Sequence, residues 1–293
     1  MKYRALGRAS LKISEIGVGT EHFVRQSQET IDETLHLAID AGINYLDIVY
    51  AYPSYLEAIG KVIEPMRKNL ILAIHIGAGA INGKHRKLRS SGSARRAFDE
   101  ALSHLKIESA DIAIIQNVSP HEYEKIMKSS GLISFAEELR ETGQTKYIGL
   151  SSHYPQLIRK AVLTEKFDML MSQFNMFAEE IPDRKELVRQ CYEAQTAFVA
   201  IKPYAGGHLL KAGRKVRVPS LKSGGEVFEG KFPKTNHLPA RCLAYILDHN
   251  GVTTVIPGFK NALELQQALD YYTMDPPDKE YDILVNFLKE LKS

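Results

Sequence analysis

The chain has 293 residues, 44% of them hydrophobic and 25% charged, the proportions of an ordinary globule long enough for two small domains or one barrel. A formal net charge of +3 is too small to imply a nucleic-acid or membrane partner. Two cysteines, Cys191 and Cys242, lie in helix-like patterns; they are too few for a zinc or iron–sulfur site and read as reduced thiols of a cytoplasmic protein.

"MKYRALGRASLK" lacks the apolar core of a signal peptide, and no run reaches the ~18 apolar residues of a membrane span. "YRALG" and "LKIS" read as an N-terminal hairpin capping one end of the fold. "SEIGVG" is the first buried strand, and a helix from Ser27 to Gly42 comes after it with Ile31, Leu35, Ala38 and Ile39 on one face. The next strands are "NYLDIV", with a helix from Ser54, and "NLILAIH", with a polar loop and a helix capped by Ser93. "DIAIIQ" leads to a helix from Pro120, and "KYIGLSS", "DMLMSQF", "AFVAIK" and "VTTVIPG" each precede a helical segment. The stretch from Tyr204 to about Asn236 reads as irregular and functional or mobile.

Continuous apolar strands alternating with helices imply a parallel sheet covered on both faces. Eight such units favour a single (β/α)8 TIM barrel over residues 1–293, with no domain boundary. Chemistry in such barrels sits where the strands end. Those ends carry Gly19-Thr20, Asp47, His75, Gln116-Asn117, Ser151-Ser152, Gln173, Lys202 and Pro257-Gly258. Such a gathering of an Asp, a His, a Lys and several amides at one rim reads as a site.

These residues carry a resemblance. "GINYLDIVYAY", "GQTKYIGLSSH", "AIKPYAGGHLL" and "TTVIPGFKNALELQQAL" resemble segments of the aldo-keto reductase superfamily, and the likeness spans nearly the whole chain. It implies the barrel and a bound nicotinamide dinucleotide, NADPH or NADH. It also implies a site in which Tyr52, five residues after Asp47, gives a proton to a carbonyl. Cofactor contacts are implied for Gly19, Thr20, Ser151, Ser152, Gln173, Lys202, Pro203, Gly206, Gly258, Lys260 and Asn261. The branch with "KPYAGG" often has a C-terminal cysteine cluster; this chain has none, so no iron–sulfur cluster is expected.

Two of the family's four catalytic positions differ. "LAIHIG" places His75 where a lysine is usual, and "DIAIIQNV" places Gln116 where a histidine is usual. An imidazole beside a carboxylate holds positive charge well, so an Asp47–His75 pair can replace that lysine in acidifying Tyr52 or be the acid itself. A glutamine donates a hydrogen bond but transfers no proton, which suits Gln116 to orienting a carbonyl. Lys260 favours a 2′-phosphate and Glu264 opposes it.

"GAGAING" (77–83) lacks the spacing of a dinucleotide loop. "KHRKLR" (84–89) reads as a solvated loop or as an approach for an anionic substrate. "HEYEK" (121–125) is not a zinc site, and no metal is expected. The leading expectation is a nicotinamide-dependent oxidoreductase acting on a carbonyl or alcohol of a small polar molecule, through Asp47, Tyr52, His75 and Gln116. The alternatives are a redox-neutral lyase or epimerase on the same residues, and a silent binding or regulatory subunit. Substrate identity and oligomeric state are not legible.

Overall fold

The computed structural model describes residues 1–177, 182–213, 215–219 and 227–290. It opens with an antiparallel hairpin of β1 (Tyr3–Ala5) and β2 (Lys12–Ser14). Then come β3 (Val18–Gly19), α1 (Gln28–Asp40), β4 (Tyr45–Ile48), α2 (Pro53–Ile63) and β5 (Ile71–Ile76). A second hairpin, β6 (Ala78–Ile81) and β7 (Lys84–Lys87), precedes α3 (Ser91–Leu105). The chain continues through β8 (Ile112–Ile115), α4 (Pro120–Ile126), α5 (Leu132–Glu141), β9 (Tyr147–Ser151) and α6 (Pro155–Val162). Next are β10 (Met169–Gln173), α7 (Pro182–Glu193), β11 (Ala197–Ile201) and an antiparallel pair, β12 (Lys215–Pro219) and β13 (Val227–Lys231). It ends with α8 (Leu238–Leu247), β14 (Val252–Ile256), α9 (Ala262–Thr273), α10 (Pro276–Lys279) and α11 (Asp282–Glu290).

Eight parallel strands run in the order β3, β4, β5, β8, β9, β10, β11, β14. Parallel bridges from Ile16 to Val255 and from Gly19 to Gly258 close the circle, giving the expected (β/α)8 barrel. Alternation along each strand builds two cores. Ile71, Ala73, Ile112, Ile114, Met169, Met171, Ala197 and Val199 fill the interior. Their neighbours Leu72, Ile74, Ala113, Ile115, Leu170 and Phe198 face the helices. Leu6 and Ile13 of the first hairpin pack into the interior cluster beside Tyr45, so the hairpin plugs the barrel. Arg4 fastens it, donating to the carbonyls of Val252 (2.7 Å) and Leu247 (2.9 Å) and to the buried Glu15 carboxylate (3.0 Å).

Helix starts obey local chemistry. The Ser27 hydroxyl accepts the Thr30 amide to cap α1, and Gly42 ends that segment at φ +86°. Ser90, not Ser93, caps α3: its hydroxyl accepts the Ser93 amide. Both cysteines are free and buried in the helix–sheet core, and burial pushes the Cys191 thiol up to about 12.

Two stretches expected to be irregular contain sheet. The basic run 84–89 has the composition of a solvated loop, yet residues 84–87 form β7, paired with β6 across Asn82 (φ +50°) and Gly83 (φ +70°). Positive φ at both loop residues is the type I′ geometry that matches strand twist, and Asn-Gly is its preferred sequence. Within the Tyr204–Asn236 stretch, β12 and β13 pair from Lys215↔Lys231 to Pro219↔Val227. Residues 214 and 220–226 of that stretch lie outside those described. No helix among the described residues is long and apolar enough to cross a membrane.

Candidate active site

The strand ends open on two adjoining cavities. One, of about 310 Å³, is walled by Asp47, Tyr50, His75, His85, Gln116, Asn117, Ser151, His153 and Lys202, among others. Asp47 and His75 arrive on neighbouring strands, and Asp47 Oδ1 lies 3.0 Å from His75 Nε2. Both side chains are nearly inaccessible to water, at 8% and 3% exposure, so each compensates the burial of the other. His75 Nδ1 is buried and has no hydrogen-bond partner among the described residues.

Gln116 is engaged at both ends: its amide nitrogen donates to the Val49 carbonyl (2.9 Å) and its oxygen meets His85 Nε2 (2.8 Å). Gln116 thereby links β4, β8 and the second hairpin, and its amide nitrogen, which carries two hydrogens, uses one of them on Val49. Tyr52 is not among the residues that line this cavity but touches two that do, Tyr50 and His85. Its hydroxyl accepts the His85 amide at 3.1 Å, and the ring lines a third cavity with Tyr50, Glu21, Arg25 and Lys260. Ser151 faces the Asp47 cavity, and its hydroxyl accepts the Asn117 amide at 2.8 Å.

Sequence reasoning passes over His85, Tyr50, His153 and Glu21. The Asn82-Gly83 turn is the signal that locates His85, because it sets the hairpin register that pairs His85 with Ala80. The His85 ring meets Tyr50 edge to face, with centroids 5.0 Å apart. Arg89 ties the hairpin base down, donating to the carbonyls of Gly77 (2.9 Å), Gln116 (2.9 Å) and Asn117 (3.2 Å) and to Glu122 (2.9 Å). Burial opposes charge on Glu122, but hydrogen bonds from Arg89, Lys87 and Ser119 outweigh it and hold its carboxyl well below the usual range.

The second cavity, about 400 Å³, is lined by Lys202, Pro203, Gly206, Gly207, Gly258, Lys260 and Glu264 and shares Glu21, Lys202 and Ile256 with the first. Gly206 and Gly207 have φ of +66° and +85°, and a Cβ on either would meet no atom within 4 Å. That leaves an open backbone cradle beside two lysines, which suits the phosphates of a dinucleotide. A Cβ at Gly19 or Gly258 would come within 2.7 Å and 2.6 Å of the Glu21 carboxylate, so both glycines make room for that side chain. Burial pushes the Glu21 carboxyl up, and the charge of Asp47 adds to this against the pull of His22 and Lys202.

Other implied contact residues do not line these two cavities. Thr20 is buried, donating to the Asp47 carbonyl (2.6 Å) and bonded to the Tyr55 hydroxyl. The Ser152 hydroxyl donates to Val118 (2.7 Å), and Asn261 caps α9 by accepting the Glu264 amide (3.0 Å). Gln173 ends β10 outside both cavity walls. No group of three or more potential metal ligands occurs among the described residues. Asn117 (φ +42°) and Lys202 (φ +55°) each leave their strands in the left-handed conformation, and the buried Asn175 amide donates to the Lys202 carbonyl (2.9 Å).

Comparison with known proteins agrees with this architecture. The sequence profile described as "Aldo/keto reductase family" matches residues 15–289. "Uncharacterized oxidoreductase YqkF" of Bacillus subtilis is 26% identical over 285 residues, covering 92% of this chain and 90% of that protein. "Pyridoxal 4-dehydrogenase" of Microbacterium luteolum is 20% identical over 333 residues, covering 96% of each. Among solved structures, the holo form of aldo-keto reductase AKR11C1 from Bacillus halodurans superposes with a TM-score of 0.76 at 20% identity, covering 100% of this chain and 97% of that one. With the profile spanning almost every residue of the barrel, the chain belongs to the aldo/keto reductase family and is an oxidoreductase.

Proposed function

We propose that the protein interconverts a carbonyl and an alcohol on a small polar substrate, using NADPH or NADH. The buried Asp47–His75 pair carries this reading, since it stands on the wall of a cavity that adjoins a glycine- and lysine-lined one. Lys202, Lys260 and the backbone of Gly206 and Gly207 line the second cavity, which supports their holding the dinucleotide phosphates. When bound, the nicotinamide supplies or takes the hydride. His75, held by Asp47, presents its imidazole on the wall where a reacting oxygen would lie. Ile201, Met171 and Ile256 supply the apolar part of the same wall.

The first test is direct titration with NADPH and NADH, together with an assay of product. Binding with net nucleotide consumption supports the reading. Substrate conversion without consumption assigns redox-neutral chemistry, and no binding at millimolar concentration removes the proposal.

Lys260 and Glu264 share the second cavity, and a Glu264 oxygen accepts the Lys260 amide at 2.9 Å. A carboxylate there repels a 2′-phosphate by roughly 1 kcal/mol near a protein surface. Glu264→Gln is therefore expected to raise the NADPH-to-NADH affinity ratio roughly fivefold, as read by cofactor fluorescence. An unchanged ratio places the 2′-phosphate elsewhere.

Because the Tyr52 hydroxyl already serves the hairpin, Tyr52→Phe is expected to keep at least roughly a tenth of wild-type turnover, the cost of one hydrogen bond. A loss of about 10²-fold or more in steady-state kcat returns proton transfer to Tyr52.

A further inference from the structure

The imidazole that meets Gln116 comes from the second hairpin. The Val49 carbonyl can only accept, so the Gln116 amide nitrogen, 2.9 Å away, is fixed on that side. The amide oxygen then faces His85 Nε2 at 2.8 Å, and because it can only accept, Nε2 must carry the hydrogen. Burial holds His85 below the ordinary histidine range, and the nearby charge of His75 adds to this against the Gln116 bond. The neutral ring therefore keeps its lone pair on Nδ1. That atom is buried and meets no donor among the described residues, although the side chain forms part of the cavity wall. A buried acceptor left unmet is destabilising. A carbonyl oxygen cannot relieve it, whereas a hydroxyl can.

We propose that His85, carried on the hairpin and held in one tautomer by Gln116, is the acid–base residue of this site and takes its proton from a substrate hydroxyl. The proposal rests on the oxidoreductase reading of the two cavities. In the oxidative direction the O–H bond breaks and its proton passes to His85 Nδ1. The freed electron pair forms the second C–O bond as the C–H bond breaks, its hydride leaving to the oxidised nicotinamide. The alcohol loses two electrons and the nicotinamide gains them. In reverse, Nδ1 returns the proton to the carbonyl oxygen. The substrate class is thus a primary or secondary alcohol and its carbonyl partner. Gln116 and Tyr52 are positioning residues, one fixing the tautomer and the other holding the His85 backbone.

The test uses the full chain with ¹⁵N-labelled histidine, loaded with NADP⁺ and probed with glycerol as a small alcohol. His85→Gln assigns the ring signals by their loss. The proposal expects a neutral Nε2–H ring whose Nδ1 resonance moves when glycerol is added. It also expects His85→Gln to bind NADPH normally while losing about 100-fold in kcat with glyceraldehyde and NADPH. Around the ring stand His75 and Asp47 from β5 and β4, Tyr50 and Tyr52 from the segment before α2, and Gln116 after β8. Gln116→Glu still accepts the Nε2 hydrogen but favours the charged ring, so the acid limb of the oxidation profile should move to higher pH. A purely structural histidine predicts no such movement. An Nδ1–H tautomer, an Nδ1 signal that ignores glycerol, or full turnover in His85→Gln overturns the proposal. If the wild type binds neither nucleotide, the oxidoreductase reading itself has failed and His85 falls with it.

Discussion

His75→Gln is expected to lower kcat by about 10²–10³-fold while leaving NADPH affinity and thermal stability close to wild type. The glutamine amide can still donate to Asp47 Oδ1, 3.0 Å from the present ring nitrogen, so the buried carboxylate keeps a partner. What disappears is the imidazole on that cavity wall. Truncation to alanine is the poorer experiment, because an uncompensated buried Asp47 costs about 3–5 kcal/mol and would confuse folding with catalysis. His75→Lys separates charge from shape: it supplies a cation without the ring and should exceed the glutamine variant by about tenfold or more. Steady-state kinetics on folded protein, checked by circular dichroism, decides between them. Equal turnover in all three proteins would make the Asp47–His75 pair architectural.

Arg89→Ala is expected to lower stability by about 2–4 kcal/mol and to reduce turnover as well. Its guanidinium joins three carbonyls, from Gly77, Gln116 and Asn117, to the Glu122 carboxylate. No single replacement side chain satisfies that set. The pH dependence has a definite sign. Glu122 has a folded-state pKa below its unfolded value, so the stability it contributes is present above the ordinary carboxylate range and is lost as pH falls through and below about 4.3. The Arg89 variant should therefore show a flatter acid limb in urea unfolding measured from pH 7 down to 3. A parallel shift at every pH would mean that Glu122 draws its stabilisation from Lys87 and Ser119 alone.

The barrel is legible in the sequence because buried parallel strands write themselves as short apolar runs, and "NLILAIH" or "DIAIIQ" cannot be half-exposed. Asp47, His75 and Lys202 are legible for the same reason: each is the polar residue at the end of such a run, and strand ends converge on one rim. The contacts of Gln116 are not, because they depend on a residue about thirty positions away in a hairpin. That hairpin announces itself through Asn82-Gly83, but the short, glycine-rich strand before it and the basic one after it mimic a loop. Tyr52 is legible by its spacing from Asp47, but spacing does not say that its hydroxyl accepts the His85 amide from another segment. Glu21 has no local signature at all; two glycines from opposite ends of the chain make its place.

The second hairpin carries His85 to the site without contributing a strand to the barrel. It is an excursion between β5 and α3, held by Arg89 and Lys87 against α4. The barrel's interior packing does not depend on which side chain that excursion presents. A lineage can therefore change the reacting group by rewriting a few exposed positions, with each intermediate still folded. On the proposal made for His85, the duties of the usual lysine and histidine positions fall to a segment outside the barrel strands.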